Sequence, residues 1–128
     1  MYITVDEKDR RPVYQQIVDE IKGLIATGEL PQGTFLPPVR QVAADLGVNL
    51  NTVAFAYRRL QREGLVKVRH GAGALVISRV LKDPIADQTR SQLKAALTHV
   101  VLSGLKQSEV RALIDEELRK LYAEVSST

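Results

Sequence analysis

The sequence of 128 residues contains no cysteine and no tryptophan. Without cysteine there is no disulfide, no zinc–thiolate site and no thiol nucleophile. Aromatic residues make up only 5% of the chain, so its core must be built from aliphatic side chains, which suits packed helices. No long apolar run is present. The most apolar stretch, Leu97 to Leu105, is interrupted by His99, Ser103 and Gly104, and falls far short of the roughly 20 residues a membrane-spanning helix needs. The N-terminus shows no basic stretch followed by an apolar run, so no secretory signal is expected. A soluble protein of a reducing, cytoplasmic compartment is the resulting expectation. Catalytic patterns are missing too: the sequence has no nucleophile–base pairing, no phosphate loop and no metal-ligand spacing. His99 has no second histidine at ligand distance along its helix, and Gly71-Ala72-Gly73 lacks the following helix that a dinucleotide fingerprint requires. No enzyme activity, cofactor, metal or membrane partner is expected.

What is present is a 45% apolar content, enough for a folded core, and an uneven distribution of charge. Residues 46 to 80 carry six Lys/Arg (Arg58, Arg59, Arg62, Lys67, Arg69 and Arg79) against the single acid Glu63. Residues 1 to 45 hold five basic and seven acidic side chains, and the chain from 81 onward holds seven of each. A short cationic stretch between acidic and neutral ones is the footprint of a nucleic-acid surface, with a merely solvated basic face as the alternative.

Helical periodicity begins behind Pro12, whose fixed φ suits a first helical position, and runs through Val13, Ile17, Ile21, Leu24 and Ile25 to Gly28. Leu30-Pro31-Gln32-Gly33 reads as a turn. After Pro37-Pro38 a short helix buries Val39, Val42, Ala43 and Leu46 and stops at Gly47. Only Gly47-Val48-Asn49 separates it from the next helix, which is helix-turn-helix spacing. Asn49 is a suitable N-cap for that third helix. Val53, Ala56, Tyr57 and Leu60 form its inward stripe, while Asn51, Phe55, Arg58 and Arg62 share the opposite face, flanked by Thr52 and Arg59. A helix with an aliphatic back and an Asn/Thr/Arg front fits a major groove. Gly64 is read as its C′ residue.

Leu65–Arg69 and Ala74–Ile77 are expected to form two short strands about a turn at His70-Gly71-Ala72-Gly73. This hairpin with a basic tip would be a wing. Asp83 is expected to cap a fourth helix with Pro84 in its first position and Ile85, Leu93, Ala96, Leu97 and Val100 along one side, ending at Gly104. Ser108 is expected to cap a fifth, with Glu109 in its first turn and Val110, Leu113, Ile114, Leu118, Leu121 and Val125 along one side. Two such helices form an antiparallel pair too small to be stable alone, each with an apolar face that needs a partner. The fold expected is therefore mainly α with a small β-hairpin: a winged helix-turn-helix over residues 10–78, followed by a two-helix C-terminal dimerisation hairpin over residues 79–128.

From Pro12 to about Val76 the chain resembles the GntR family of bacterial transcriptional regulators. The matching pieces are Pro12-Val13-Tyr14-Gln15-Gln16-Ile17, Gly28, Gly33, Leu36-Pro37-Pro38-Val39-Arg40, Ala43, Leu46-Gly47-Val48-Asn49, Thr52-Val53, Ala56-Tyr57, Leu60, Glu63-Gly64-Leu65-Val66 and Gly71-Ala72-Gly73. Fewer than fifty residues follow the wing, which is similar to the short YtrA-type subfamily rather than to members with a large effector domain. The resemblance implies a regulator that binds double-stranded DNA, as a homodimer on an inverted repeat, with repression favoured over activation and a small-molecule effector left open. It implies DNA contacts from Arg40, from Asn49, Leu50, Asn51 and Thr52 at the start of the recognition helix, and from His70 and Gly71 at the wing tip; Arg58, placed on the outer face of that helix by its spacing, is a further candidate for DNA contact, with a solvated face as the alternative. Dimerisation would fall to Leu93, Leu97, Val100, Val110, Ile114, Leu118 and Leu121.

Pro38, Leu50 and Ala54 depart from residues found in many relatives, so the operator does not carry over. Other readings stay open at this point. Arg40 could pair with Asp45, and Phe55 could meet the wing, a partner subunit or a thymine methyl. The whole module could instead bind another protein, without contacting DNA itself.

Overall fold

In a computed structural model of the chain, which describes residues 1–71, 73–83 and 86–126 (for 123–126 the backbone alone), periodicity turns into helix and glycine ends it. The chain divides into two compact units, Met1–Lys82 and Asp83–Thr128.

The first unit contains α1 (Val13–Thr27), β1 (Phe35–Leu36), α2 (Val39–Leu46), α3 (Leu50–Arg62), β2 (Val66–Arg69) and β3 (Gly73–Val76). Its core is the aliphatic one the composition demands. Ile17, Val18, Ile21 and Ile25 of α1 pack with Val53, Ala56, Tyr57 and Leu60 of α3, against Val42 and Ala43 of α2 and Leu36, Val66, Ala74 and Val76 of the sheet. Full burial of each large aliphatic side chain contributes about 1.5–3 kcal/mol. Pro12 stands one position earlier than expected, at the N-cap, where its carbonyl accepts from the amides of Gln15 and Gln16.

The bend between α2 and α3 is a Schellman turn. Gly47, at φ 68°, adopts the left-handed conformation that side chains resist, so that the amides of Gly47 and Val48 turn back onto the carbonyls of Ala44 and Ala43. Two residues later the Asn49 side chain accepts the Asn51 amide at 2.7 Å and starts α3.

The sheet has three strands rather than the two of a simple hairpin, in the order β1-β3-β2, all antiparallel. Leu36 stands opposite Ala74, and Val68 shares the same partner from the other side. β1 is only two residues long, with no alternation to read. The strand edges fall one residue from expectation because the Leu65 amide closes the end of α3 by donating to Leu60, and the Ile77 amide leaves the ladder for the Leu65 carbonyl.

The N-terminal segment, silent in the sequence pattern, is held onto this unit. Ile3 and Val5 lie against the core. Buried Gln16 accepts from the Asp6 amide at 2.8 Å and donates to the carbonyls of Asp6 and Arg11. Arg11 clasps both Asp9 and Asp19, and its guanidinium holds the Asp9 carboxyl down at about 2.

The second unit consists of α4 (Asp87–Leu102) and α5 (Gln107–Ser126). α4 begins later than expected. Ala86 is extended at φ −74°, ψ 158°, which interrupts a helix started at Asp83, and Asp87 takes the favourable acidic place in the first turn. Pro84 and Ile85 lie outside the described residues, as do Ala72 and the side chain of Val125. α5 is not capped by Ser108, which sits inside it. The Glu109 carboxylate instead reaches back to the Lys106 amide at 3.0 Å, half of a capping box. No residue of α4 is buried, and Leu93 remains 59% and Leu118 46% exposed. Among the described residues no helix is long and apolar enough to cross a membrane.

Candidate nucleic-acid interface

Three separate segments of the first unit converge on one cleft of about 570 Å³. The start of α2 contributes Pro38, Val39 and Arg40. The start of α3 contributes Leu50, Asn51 and Ala54, and the wing contributes Val68, Arg69, His70, Gly71 and Gly73. Five residues expected at a DNA contact, Arg40, Leu50, Asn51, His70 and Gly71, therefore line a single concave surface although they are spread over some thirty positions of sequence.

The junction after β1 brings these segments together. The Tyr57 hydroxyl, on the buried side of α3, donates to the Pro37 carbonyl at 2.6 Å. Burial pushes this phenol well above its usual range, so it stays protonated as a donor. Gly73 of the wing passes so close to the same junction that a Cβ there would overlap the Leu36 carbonyl and crowd Pro37. One short stretch of backbone thus fixes α3, the wing and, three residues on, Arg40.

Arg40 is exposed, and among the described residues no carboxylate pairs with it; Asp45 is not its partner. Arg58, Arg62, Lys67 and Arg69 are likewise exposed and without an ion-pair partner among the described residues, while Arg59 is half-buried. A free guanidinium offers a planar fork of donors, suited to a guanine edge or a phosphate. Asn51 is exposed, and Leu50 is 42% exposed. Thr52 is half-buried and Arg58 lies farther along α3; neither lines the cleft. Asn49 is outside it too, with its side-chain oxygen engaged in capping and only its amide nitrogen left to donate outward.

Two side chains behave differently from their sequence setting. Arg79, counted within the cationic stretch, is engaged elsewhere: its guanidinium donates to the carbonyls of Ile25 and Ala26 at the end of α1. Phe55 stands edge-on to Tyr14 of α1, ring centres 4.7 Å apart, with the Arg58 guanidinium 6.0 Å from its own ring centre. Arg69 is the residue that reading by resemblance left out. Its signal was its position next to His70, at the end of a strand whose other exposed residue, Lys67, is also basic.

The cleft, its unpaired cations and the helix-turn-helix beneath them define a class: a DNA-binding transcriptional regulator of the winged helix type. Residues 13–76 match the family described as bacterial regulatory proteins, gntR family. The chain belongs to the GntR family, on its short YtrA-type branch. It is 28% identical to the HTH-type transcriptional repressor YtrA of Bacillus subtilis (strain 168), over 96% of this chain and 94% of that protein. Among solved structures it is similar to a transcriptional antiterminator from Listeria monocytogenes EGD-e, with a TM-score of 0.78, 29% identity and coverage of 94% and 92% of the two chains. A second is YtrA from Sulfolobus acidocaldarius, a GntR-family transcription factor, at TM-score 0.56 and 32% identity, covering 92% and 97%.

Proposed function

We propose that the chain acts as a homodimer, lays α3 of each protomer in the major groove of an inverted repeat, and represses by occupying a promoter. Residues 10–78 form the DNA-binding domain in this reading and residues 79–128 the dimerisation tail. The observation that carries it is the convergence of Arg40, Asn51 and His70 on one cleft whose cations have no carboxylate partner among the described residues. Arg40 approaches a base edge or phosphate, Asn51 and Leu50 face bases, and His70 with Gly71 follows the minor groove beside them. Thr52 and Asn49 hold phosphates at the helix start, where the positive end of the helix dipole favours an anion. Arg58, steadied against Phe55, adds a contact farther along the groove. The activity is binding, without a catalytic step or a cofactor; a small-molecule effector would act by changing the dimer.

Support for the second copy comes from the tail. Leu93, Ile114, Leu118 and Leu121 are exposed on these helices, with Leu97 and Val100 half-covered and, among the described residues, only Val110 buried. A face of this kind is stable only when another covers it. The Bacillus relative is named a transcriptional repressor, which favours repression here.

Arg40→Ala is expected to weaken binding by about 1–3 kcal/mol and to relax preference at one base position. The check is titration of a duplex selected from a random pool, alongside variants of that duplex. Unchanged affinity and base preference would remove Arg40 from the interface.

A further inference from the structure

The segment that leads out of the DNA-binding unit is fastened to the ends of two helices. After β3, the Ile77 amide donates to the Leu65 carbonyl at 2.9 Å. The Ser78 hydroxyl accepts from the Val80 amide and donates to the Val80 carbonyl, both at 3.0 Å. Arg79 then folds onto the C-terminus of α1, its Nε donating to the Ile25 carbonyl at 3.1 Å and its Nη2 to the Ala26 carbonyl at 2.7 Å. Finally the Lys82 amide donates to the carbonyl of Glu63, the residue that closes α3, at 2.8 Å. The carboxylate of Glu63 is itself held by Lys22 of α1.

These contacts have a common sense. The last carbonyls of α1 carry partial negative charge, and a guanidinium there makes charge-assisted bonds with two of them, those of Ala26 and of Ile25, the latter also accepting from the Gly28 amide. The chain's exit from the unit is thereby referred to the end of the recognition helix. From this geometry we infer that residues 77–82 are a rigid strap, and that Arg79 is a positioning residue which sets the spacing between half-sites that the dimer accepts. The inference rests on the dimeric reading given above.

Magnitudes show why a strap matters. Six residues of free linker would wander by about 13 Å, the length of about four base pairs. One inserted base pair moves a half-site by only about 3.4 Å and turns it by about 35°. A loose connector would tolerate that change, and a fastened one would not.

The test uses the full chain and a duplex selected from a random pool. Companion duplexes carry one or two extra base pairs between the half-sites, or one half-site alone. Wild type is expected to lose about tenfold or more in affinity per inserted pair, while Arg79→Ala loses less than about threefold. Arg79 does not line the cleft, so the variant should bind the single half-site as wild type does, which also reports that its DNA-binding unit is folded. A variant that keeps the wild-type spacing profile overturns the strap alone. A wild type indifferent to spacing overturns the dimeric reading and the strap with it. Independently of any variant, amide exchange in the wild-type chain should show Val80 and Lys82 protected; exchange at the rate of an unstructured chain also overturns the strap.

Discussion

Leu118→Glu is expected to leave the chain monomeric in sedimentation and to weaken its binding to a two-half-site duplex by about 10²–10⁴-fold. Leu118 lies on α5 with nearly half its surface exposed, in a unit where Leu93, Leu113, Ile114 and Leu121 are similarly uncovered. A carboxylate at that position would have to be buried without a partner if a second copy covered it, a cost of several kcal/mol. The first unit does not include Leu118, so affinity for one half-site should remain that of the wild-type monomer. The large loss comes from dissolving the link that makes the second contact intramolecular. A variant that sediments as an intact dimer would take α5 out of the interface.

Gly73→Ala should unfold or severely loosen the DNA-binding unit, with destabilisation of roughly 2–6 kcal/mol in denaturant titration. Two causes add. Gly73 sits at φ 77°, where a side chain is strained, and its Cβ would overlap the Leu36 carbonyl. The neighbouring wing glycine separates the causes: Gly71 has φ 76° but open space around it. Gly71→Ala should therefore show the strain without the collision, and a clearly smaller shift. Equal midpoints for the two variants would mean that the approach to Leu36 is not what Gly73 is for. Any movement at Leu36 also shifts Pro37, the acceptor for Tyr57, so DNA binding should fall together with stability.

How much of this was legible in the sequence depends on whether a feature is periodic. The stripe Val53, Ala56, Tyr57 and Leu60 is spaced for a helix, and all four are fully buried. Gly47 and Asn49 announced the turn and the cap through residue type alone. β1 carried no such signal, because two residues cannot alternate and its reason to be extended is the β3 edge beside it. Charge along the chain was readable only as a sum: Arg58, Arg62, Lys67 and Arg69 have no ion-pair partner among the described residues, whereas Arg79 is drawn to the last carbonyls of α1, more than fifty residues earlier. Phe55 meets a neighbour the sequence did not suggest, Tyr14, because α1 and α3 pack side by side. The starts of α4 and α5 went astray for a local reason. Asp83 and Ser108 are good caps in type, but Ala86 is extended and Glu109 already serves the Lys106 amide.

The central claim is that the cleft's cations meet DNA phosphates. Its most direct test is the affinity of the full chain for its selected duplex, measured by anisotropy between 50 and 300 mM salt. With about three phosphates neutralised per protomer, log K should fall linearly with log salt at a slope of about −5 to −6, and less steeply by about one or two for Arg69→Ala in both protomers. A duplex bound with no salt dependence, or not bound at all, would contradict the account and leave a winged helix that recognises protein instead.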